Sequence, residues 1–489
     1  MSQSLRAAAA SPIKFGTDGW RGVIAADFTI ERVARVAPLA AQALEAEFGA
    51  STGSRTVLVG YDRRFMAEDF ARVAAEAVQA AGYRVKLSDC YAPTPVFSWI
   101  AHHEQALGAI VLTASHNPGR YLGLKVKGAF GGSVSPDVTQ TIETMLAAGT
   151  FPAEVETPEP IEAFNPWDSG YCERLREFVD IGAIREAITS GRLTVFVDAM
   201  HGASAGGLSK VLDVPVQELN TNRDPLFEGG APEPLPKYTT GSIARIREHQ
   251  QAHPEQLVVG LVFDGDCDRI AAIDGSGEFL TSQILIPILI QHLAVTRGQT
   301  GEVVKTVSGS DLMPKVAALY DLPVYETAVG YKYIADRMLS VPVLIGGEES
   351  GGVGYGSHIP ERDALLSALY VLEAVVKSGQ SLGQLYGALQ EKTQFFNAYD
   401  RIDLALASMA ARDRVLSQLQ THPPTEVAGQ AVTGCQTTDG YKFRLAEGDW
   451  LMIRFSGTEP VLRIYCEAVT ADRVQQILEW ARGWAEAAA

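Results

Sequence analysis

The segment TASHNPGRYLGLKVKGAF (113–130) places a serine, Ser115, directly before a histidine and an Asn-Pro pair. The apolar run GAIVLTA (108–114) has the length of a buried strand, and Asn117-Pro118 ends that strand and turns the chain. Ser115 is therefore predicted at the carboxyl end of a strand, the edge where open α/β sheets bind ligands. Its hydroxyl is either a reacting group or an ordinary cap that satisfies backbone groups of the turn.

The surroundings of Ser115 do not indicate a serine-hydrolase site. The glycines of a nucleophile elbow are missing, and two residues adjacent in sequence, Ser115 and His116, are not expected to face one another easily. If Ser115 reacts, another group must activate it.

A second group of reactive side chains is the run FDGDCDR (263–269), with three aspartates at alternate positions after the apolar run VVGLVF (258–263). Three carboxylates this close repel one another unless a cation neutralises them, and hard oxygen ligands select magnesium or calcium. An EF-hand loop is excluded, because Arg269 stands where that loop needs glycine and Gly275 where it needs glutamate. The alternatives are a solvated acidic turn and a metal site formed by Asp264, Asp266 and Asp268.

A glycine-rich turn, IGGEESGGVG (345–354), presents Glu348 and Ser350. It matches neither the phosphate-binding P-loop nor the dinucleotide fingerprint. Acidic side chains framed by glycines suit hydrogen bonding to vicinal sugar hydroxyls, and a simple tight turn is the alternative.

The segment RFSGTEPVLR (454–463) offers a guanidinium, two hydroxyls and free backbone N–H groups. These donors suit a phosphate dianion, which arginine can bind bidentately. The candidate phosphate ligands are Arg454, Ser456, Gly457 and Thr458. The alternative, a β-turn capped by Ser and Thr, leaves Arg454 without an assigned partner.

A fifth loop, KFGTDGWRG (14–22), adds Arg21 near the amino terminus. Together the loops supply a hydroxyl that could carry a phosphate, a metal site, a polyol-binding loop and a separate phosphate site. This combination describes phosphoryl transfer on a sugar phosphate.

Composition limits the partners of the chain. It has 489 residues, 46% hydrophobic and 8% aromatic, with a formal net charge of −17. A strongly acidic chain argues against binding nucleic acid or an anionic membrane, and an anionic substrate then needs a local basic pocket. No signal-peptide core and no apolar stretch of about 18 residues is present, so we expect a cytoplasmic protein. Five scattered cysteines indicate reduced packing residues.

Short apolar runs alternate with amphipathic stretches up to about residue 390, which predicts βαβ units with mixed or parallel sheets. The predicted strands include 56–61, 84–89, 109–114, 193–199, 258–263, 302–307 and 341–346. The predicted helices include 31–48, 67–82, 281–295 and 361–376. The last hundred residues instead follow an α+β pattern with a β-meander between helices.

A polar, Pro-containing stretch near 150–165 and a second polar stretch around 378–395 are interpreted as joints. The resulting domains are 1–160 with the serine loop, 161–275 with the metal loop, 276–390 with the sugar loop and 391–489 with the phosphate loop.

The motifs FGTDGWRG, TASHNP, DGDCDR, GGEESGG and RFSGTEP, in this order, resemble those of the α-D-phosphohexomutase superfamily, the phosphoglucomutases and phosphomannomutases. The resemblance implies three similar mixed α/β domains plus a carboxyl-terminal α+β domain, arranged around one central cleft.

The resemblance also implies roles for residues at the transfer centre. Ser115 would be the phosphoserine, and one of its phosphate oxygens would join the three aspartates on Mg²⁺. Arg21 and Arg269 would add positive charge. Lys125 would be the general acid–base, because a crowded cationic site is expected to lower its pKa.

The implied cycle passes through a hexose 1,6-bisphosphate, with glucose 1,6-bisphosphate as activator and intermediate. The phosphate loop would hold either end of the sugar, while Glu348 and Ser350 bind hydroxyls common to both orientations. Further sugar contacts are expected from Lys305, Tyr331 and Lys332.

The chain departs from several relatives at two places: Leu122-Gly123 replaces Asn-Gly, and Ser350-Gly351-Gly352 replaces Ser-Gly-His. The missing histidine removes one acid–base candidate and makes His116 its candidate substitute.

The favoured substrate pair is glucose 1-phosphate and glucose 6-phosphate, with mannose phosphates secondary. The alternatives are a phosphoglucosamine mutase, a metal-dependent sugar phosphatase and a catalytically silent sugar-phosphate sensor. We expect a monomer or weak homodimer with no nucleic-acid or membrane partner.

Overall fold

A computed structural model of the chain describes residues 12–16, 18–456 and 460–489. Four sheets follow one another along the chain, three of them in α/β units and the last in an α+β unit. The predicted fold class is confirmed. No helix of the described residues is both long enough and apolar enough to cross a bilayer.

The first sheet has seven strands in the order β1-β2-β6-β5-β3-β4-β7. Strands β3, β4, β5 and β7 are mutually parallel, whereas β6, β2 and β1 continue the sheet in antiparallel pairs. Its elements are β1 (Phe15–Gly16), β2 (Gly19–Val23), α1 (Ile30–Thr52), β3 (Thr56–Tyr61), α2 (Ala67–Ala80), β4 (Arg84–Ser88), α3 (Thr94–His103), β5 (Gly108–Leu112), β6 (Tyr121–Gly128), α4 (Pro136–Ala147) and β7 (Glu162–Phe164).

The second sheet has five strands in the order β12-β11-β10-β8-β9. Short 3-10 turns at 166–168, 227–229 and 236–238 connect its parts. Its elements are α5 (Tyr171–Glu177), α6 (Ile181–Thr189), β8 (Leu193–Asp198), α7 (Gly207–Leu212), β9 (Gln217–Leu219), α8 (Thr240–Ala252), β10 (Leu257–Phe263), β11 (Ile270–Asp274) and β12 (Phe279–Leu280).

The third sheet has four strands in the order β14-β13-β15-β16. Its elements are α9 (Ser282–Gln291, continued by a π turn at 292–296), β13 (Glu302–Thr306), α10 (Leu312–Ala318), β14 (Val324–Thr327), α11 (Tyr331–Ser340), β15 (Val343–Gly347), β16 (Val353–Gly354), α12 (Ala364–Ser378) and α13 (Leu382–Thr393). The interpretation of 378–395 as a joint is wrong, because Ser381 caps α13 and Leu382, Leu385 and Leu389 bury its apolar face.

The fourth sheet is a mostly antiparallel meander in the order β17-β22-β21-β20-β19-β18. Helices α14 and α15 pack on it, as the sequence pattern predicted. Its elements are β17 (Ala398–Ala405), α14 (Met409–Thr421), β18 (Glu426–Val427), β19 (Gln430–Gln436), β20 (Tyr441–Leu445), β21 (Trp450–Phe455), β22 (Val461–Ala468) and α15 (Ala471–Ala488).

The first three sheets share one local arrangement that positions the polar loops. In each, a buried strand has a parallel neighbour on one side, and on the other side it pairs with the antiparallel strand that follows it. The strand pairs are β5–β6, β10–β11 and β15–β16. In each pair, the loop that joins the two strands carries polar residues: Ser115 in the first unit, the three aspartates in the second and Glu348 in the third. Equivalent positions of three similar units therefore supply the polar residues.

Candidate active site

Ser115 follows β5 and adopts a left-handed backbone conformation with φ of 52°. Its backbone N–H donates to Thr113 Oγ1 at 2.9 Å, and its Oγ donates to Asp264 Oδ2 at 2.8 Å. His116 Nδ1 lies 3.2 Å from the same Oγ, so the expectation that this adjacent pair does not face one another is wrong. The strained conformation at Ser115 turns the two side chains toward each other, which the sequence pattern does not reveal.

A buried arginine, Arg64, supports the loop that carries Ser115. Its terminal nitrogens donate to four carbonyl oxygens at 2.5–3.1 Å, those of Ser115, Asn117, Pro118 and Tyr121. A single planar guanidinium therefore satisfies most of the buried carbonyls of the turn. This contact network offsets the cost of the left-handed serine and fixes where its hydroxyl points.

The three aspartates of the second loop are fully buried, and each offers a carboxylate oxygen within 4.8 Å of those of the other two. Burial and the charges of Asp266 and Asp268 raise the pKa of Asp264 well above its usual value. Asp266 Oδ1 and Asp268 Oδ1 are buried without a hydrogen-bond partner among the described residues. Crowded hard oxygens with unused lone pairs fit a divalent cation such as Mg²⁺, which would be held by Asp264, Asp266 and Asp268.

Lys125 lies on β6 beside these aspartates. Its Nζ is 2.7 Å from Asp18 Oδ2, 2.8 Å from Asp266 Oδ2 and 2.9 Å from Asp268 Oδ2. Burial alone would lower the pKa of Lys125, but the three carboxylates outweigh it and raise the pKa above its usual value. The expected lowering of this pKa is wrong, because the nearest charges are anionic. In these surroundings Lys125 is a cation.

His116 has the opposite environment. Burial, followed by the charges of Arg269, Arg21 and Lys125, holds its pKa well below 6.5. The imidazole beside Ser115 Oγ is therefore neutral at physiological pH. Arg21 donates from Nη1 to Asn117 Oδ1 at 2.6 Å, which ties the amino-terminal segment 14–22 to the turn after Ser115.

All four units meet around a cavity of about 430 Å³. The described residues lining it include eight Lys or Arg and five Asp or Glu, although the chain is strongly acidic. The basic ones are Arg21, Lys237, Arg269, Lys332, Arg362, Arg401, Arg454 and Arg463. The local basic pocket required for an anionic ligand is thus present. Ser115 lies just outside this lining, where its neighbour His116 is part of the cavity wall.

Most of the predicted sugar-binding residues reach the cavity. Glu348, Ser350, Tyr331 and Lys332 all line it. Burial raises the pKa of Glu348 to about 7, although the positive charge of Arg362 partly opposes this rise. A carboxyl group that titrates near neutrality therefore faces the space where a ligand would lie.

Lys305 is placed differently from the other predicted sugar contacts. It lies opposite Glu326 in the β13–β14 pair, with Nζ 2.9 Å from Glu326 Oε2 and 3.5 Å from Asp311 Oδ1. Its side chain is buried among these partners, away from the described residues that line the cavity. The structure does not bring Lys305 to the candidate sugar site.

The fourth loop contributes Arg454 to the cavity. Its Nε donates to Asp439 Oδ2 at 2.8 Å, which supplies the partner that the β-turn alternative left unassigned. The backbone N–H of Ser456 donates to the Val461 carbonyl at 3.0 Å. Gly457 and Thr458, which belong to the predicted phosphate set, lie outside the described residues.

Sequence reasoning missed several residues of the site. Asp18 lies in the same glycine-rich loop as Arg21, and Arg463 ends the segment from which Arg454 was taken. Arg362 was assigned to a helix beginning at 361, but Asp363 is the N-cap and α12 begins at Ala364. The Asp363 capping signal could have placed Arg362 in the loop that reaches the cavity.

Comparison with known families agrees with this geometry. Four models described as phosphoglucomutase/phosphomannomutase alpha/beta/alpha domains I, II and III and the C-terminal domain match residues 12–153, 169–277, 281–393 and 407–481. Together they cover most of the chain in the order expected for one protein.

Individual relatives have similar lengths. A structure from Thermus thermophilus, assigned as a phosphomannomutase, is 32% identical with a TM-score of 0.83, and the match covers 98% of this chain and 100% of that one. A phosphoglucomutase/phosphomannomutase of Thermococcus kodakarensis is 27% identical over 95% of this chain and 96% of its own. A phosphoglucosamine mutase of Halorhodospira halophila is 29% identical over 97% of both chains.

The ordered set of four domains, the serine and aspartate loops and the basic cavity between them lead to one conclusion. The chain belongs to the phosphoglucomutase/phosphomannomutase family of the α-D-phosphohexomutase superfamily, whose members are isomerases.

Proposed function

We propose that the protein interconverts glucose 1-phosphate and glucose 6-phosphate through a phosphoserine at Ser115 and a hexose 1,6-bisphosphate, with mannose phosphates as secondary substrates. The observation that carries this proposal is the buried Ser115 hydroxyl, which donates to Asp264 within the aspartate cluster beside a basic cavity. Phosphoryl transfer depends on positioning and on neutralising charge, and these residues supply both.

The proposed roles follow from where the side chains lie. Arg64 and Thr113 hold Ser115 in position, while Lys125 contributes positive charge close to the serine loop. A bound Mg²⁺ would act as a Lewis acid that neutralises charge on the transferring group. The neutral imidazole of His116, 3.2 Å from Ser115 Oγ, is suitably placed to hold a proton at Nδ1.

The remaining lining residues would orient the sugar. The basic side chains of the fourth unit, Arg401, Arg454 and Arg463, suit the phosphate that is not being transferred. Glu348 and Ser350 lie in the third loop and suit hydroxyl groups. Because the bisphosphate must turn over between the two half-reactions, one set of contacts has to serve both orientations.

Glucose and mannose phosphates carry a neutral hydroxyl at C2, whereas glucosamine phosphate carries an ammonium there. The proposed preference for the hydroxyl rests on the acidic residues of the sugar loop. Glu348 is partly protonated near pH 7. Glu349 already accepts a hydrogen bond from Ser308 Oγ at 2.7 Å. Neither carboxyl is fully available to an ammonium, which would also enter a predominantly basic cavity.

A phosphoglucosamine mutase is the second candidate, because several similar proteins carry that name at 26–29% identity. Measuring kcat/KM distinguishes a glucose or mannose phosphomutase from a phosphoglucosamine mutase. The substrates are glucose, mannose and glucosamine 1-phosphates, each with Mg²⁺ and catalytic amounts of its 1,6-bisphosphate.

We expect the highest kcat/KM with glucose 1-phosphate, and a value at least about tenfold lower for glucosamine 1-phosphate, equivalent to about 1.4 kcal/mol. The reverse order would make the protein a phosphoglucosamine mutase. Release of inorganic phosphate without isomerisation would assign it as a phosphatase.

A pH dependence follows from Glu348. Its raised pKa of about 7 means that the carboxylate forms only as pH rises through neutrality, and the carboxylate accepts hydrogen bonds from sugar hydroxyls better than the acid does. We expect kcat/KM to rise with pH and level off above about 7. Glu348→Gln should remove this limb and lower the plateau by roughly 10- to 100-fold.

The substrate phosphate also titrates, near pH 6, so the variant is needed to separate the two groups. A limb near pH 7 that persists unchanged in Glu348→Gln would show that this carboxyl does not control binding.

A further inference from the structure

Gly352, just before β16, is a glycine that its backbone does not require. It is absent from the described glycines with positive φ, so an L-residue could adopt its conformation. A Cβ at this position would lie 2.5 Å from Arg362 Cδ and 3.1 Å from Arg362 Cγ. Such contacts are too short for packed atoms, so the space that a side chain at 352 would fill is occupied by the stem of Arg362.

The head of Arg362 reaches across two other units. Its Nη2 lies 2.6 Å from Asp18 Oδ2 and 2.8 Å from Asp268 Oδ2. Lys125 Nζ contacts the same two oxygens at 2.7 and 2.9 Å. Two cations and two carboxylate oxygens therefore form one closed cluster, with members from the first, second and third units.

This cluster fixes the position of Lys125. Side chains of Lys125 and Arg362 are 1% and 7% exposed, so solvent screens these ion pairs only weakly. Without Arg362, Lys125 is the one cation among the described residues that still contacts both Asp18 and Asp268, while Lys127 contacts Asp18 alone at 3.2 Å. The repulsion between the two carboxylates and the position of Lys125 both change. Arg362 thus acts on the transfer centre through Asp18, Asp268 and Lys125.

We propose that Arg362 is a positioning residue of the transfer centre, and that Gly352 lacks a side chain so that the stem of Arg362 can cross the third loop to reach it. The proposal rests on the proposed function for its catalytic consequence. The part of the proposal that concerns the packing of Arg362 against Gly352 does not depend on which sugar the enzyme uses.

A double-mutant cycle tests the proposal, with Arg362→Ala, Gly352→Ala and the double variant. We expect each single change to lower kcat by about 100-fold, the scale of a misplaced catalytic group, with KM for glucose 1-phosphate within about threefold of wild type. Both changes remove the Arg362 side chain from its place. The kcat of the double variant should therefore also be about 100-fold below that of wild type, whereas independent effects would multiply. Arg362→Lys should recover at least about tenfold of the loss, since it retains the charge.

Thermal unfolding without substrate or metal supplies a readout that does not depend on activity. Gly352→Ala should lower Tm in the wild-type background but not in the Arg362→Ala background, where the clashing stem is gone. Gly387→Ala is the matched control, because a Cβ there meets no atom within 4 Å. We expect it to leave kcat unchanged and to have the same effect on Tm in the wild-type and Arg362→Ala backgrounds.

Multiplicative losses in kcat, or equal Tm decreases for Gly352→Ala in both backgrounds, would overturn the proposal. A rise in KM with unchanged kcat would also overturn it, since Arg362 would then be a sugar contact. The wild-type protein could isomerise no hexose phosphate while Gly352→Ala still lowers Tm only when Arg362 is present. In that case the proposed function fails and the packing inference stands.

Discussion

Replacing Ser115 by alanine is expected to lower kcat for glucose 1-phosphate isomerisation by about 10⁴-fold or more, the scale seen when a nucleophile is deleted. The physical reason is that Ser115 Oγ is the atom proposed to carry the phosphoryl group, and its neighbours Asp264 and His116 hold it in place. Binding of the sugar phosphate should persist, because the basic residues that line the cavity are unchanged. A coupled assay for glucose 6-phosphate and calorimetric titration with glucose 1-phosphate measure the two quantities.

Ser204→Ala is the matched control. Ser204 is also fully buried, and its hydroxyl has no hydrogen-bond partner among the described residues. We expect this variant to retain wild-type turnover. Intact-mass measurement after incubation with glucose 1,6-bisphosphate should find one phosphate on the wild-type protein and on Ser204→Ala, but none on Ser115→Ala. Turnover by Ser115→Ala within about tenfold of wild type would exclude Ser115 as the phosphate carrier.

The positions of the loops could be predicted from the sequence because each follows a short apolar strand. The run before Asp264 is β10, and the run before Glu348 is β15, so both polar loops lie at the carboxyl ends of buried strands as expected. This part of the structure depends only on the local hydrophobic pattern and on the turn-forming residues that end each strand.

The charge environment of Lys125 could not be predicted in the same way. Asp266 and Asp268 belong to the second unit, so their proximity to Lys125 in the first unit depends on how the two units dock. Asp18 lies in the first unit and approaches Lys125 through the pairing of β2 with β6. A local pattern gives no information about such contacts, so the expected direction of the lysine pKa shift was wrong. Asp18 was missed for the same reason, whereas Arg362 was missed because the helix was predicted to begin at 361, before the Asp363 cap.

Lys305 illustrates a different limit. Its place in the strand 302–306 was predicted, but a residue's partner depends on the register of the neighbouring strand. Parallel pairing sets Lys305 against Glu326, and this ion pair fixes the lysine inside the third unit. Without the register, a lysine near a sugar loop and a lysine in a structural ion pair look the same in sequence.

Removing divalent cations is the second change with a large expected effect. EDTA should lower the isomerisation rate by at least about 10³-fold, and added Mg²⁺ should restore it. Asp264, Asp266 and Asp268 are buried within 4.8 Å of one another, and two of their oxygens lack hydrogen-bond partners among the described residues. Lys125 neutralises only part of this charge, so the cluster is expected to bind Mg²⁺ and to lose its function in phosphoryl transfer without it.

The same charge crowding predicts an effect on stability that requires no substrate. Saturating Mg²⁺ should raise Tm of the wild-type protein by roughly 3 °C or more, because a ligand that binds only the folded state stabilises it. Asp266→Asn should reduce this shift by removing one anionic ligand. Asp198→Asn is the matched control, since Asp198 is a buried aspartate at the end of the neighbouring strand β8. Its Mg²⁺-induced shift should equal that of wild type even if its own Tm is lower. Equal shifts in Asp266→Asn and wild type, or full activity in EDTA, would contradict a metal site at these aspartates and leave Lys125, Arg21 and Arg269 as the charges that must neutralise the transferring group.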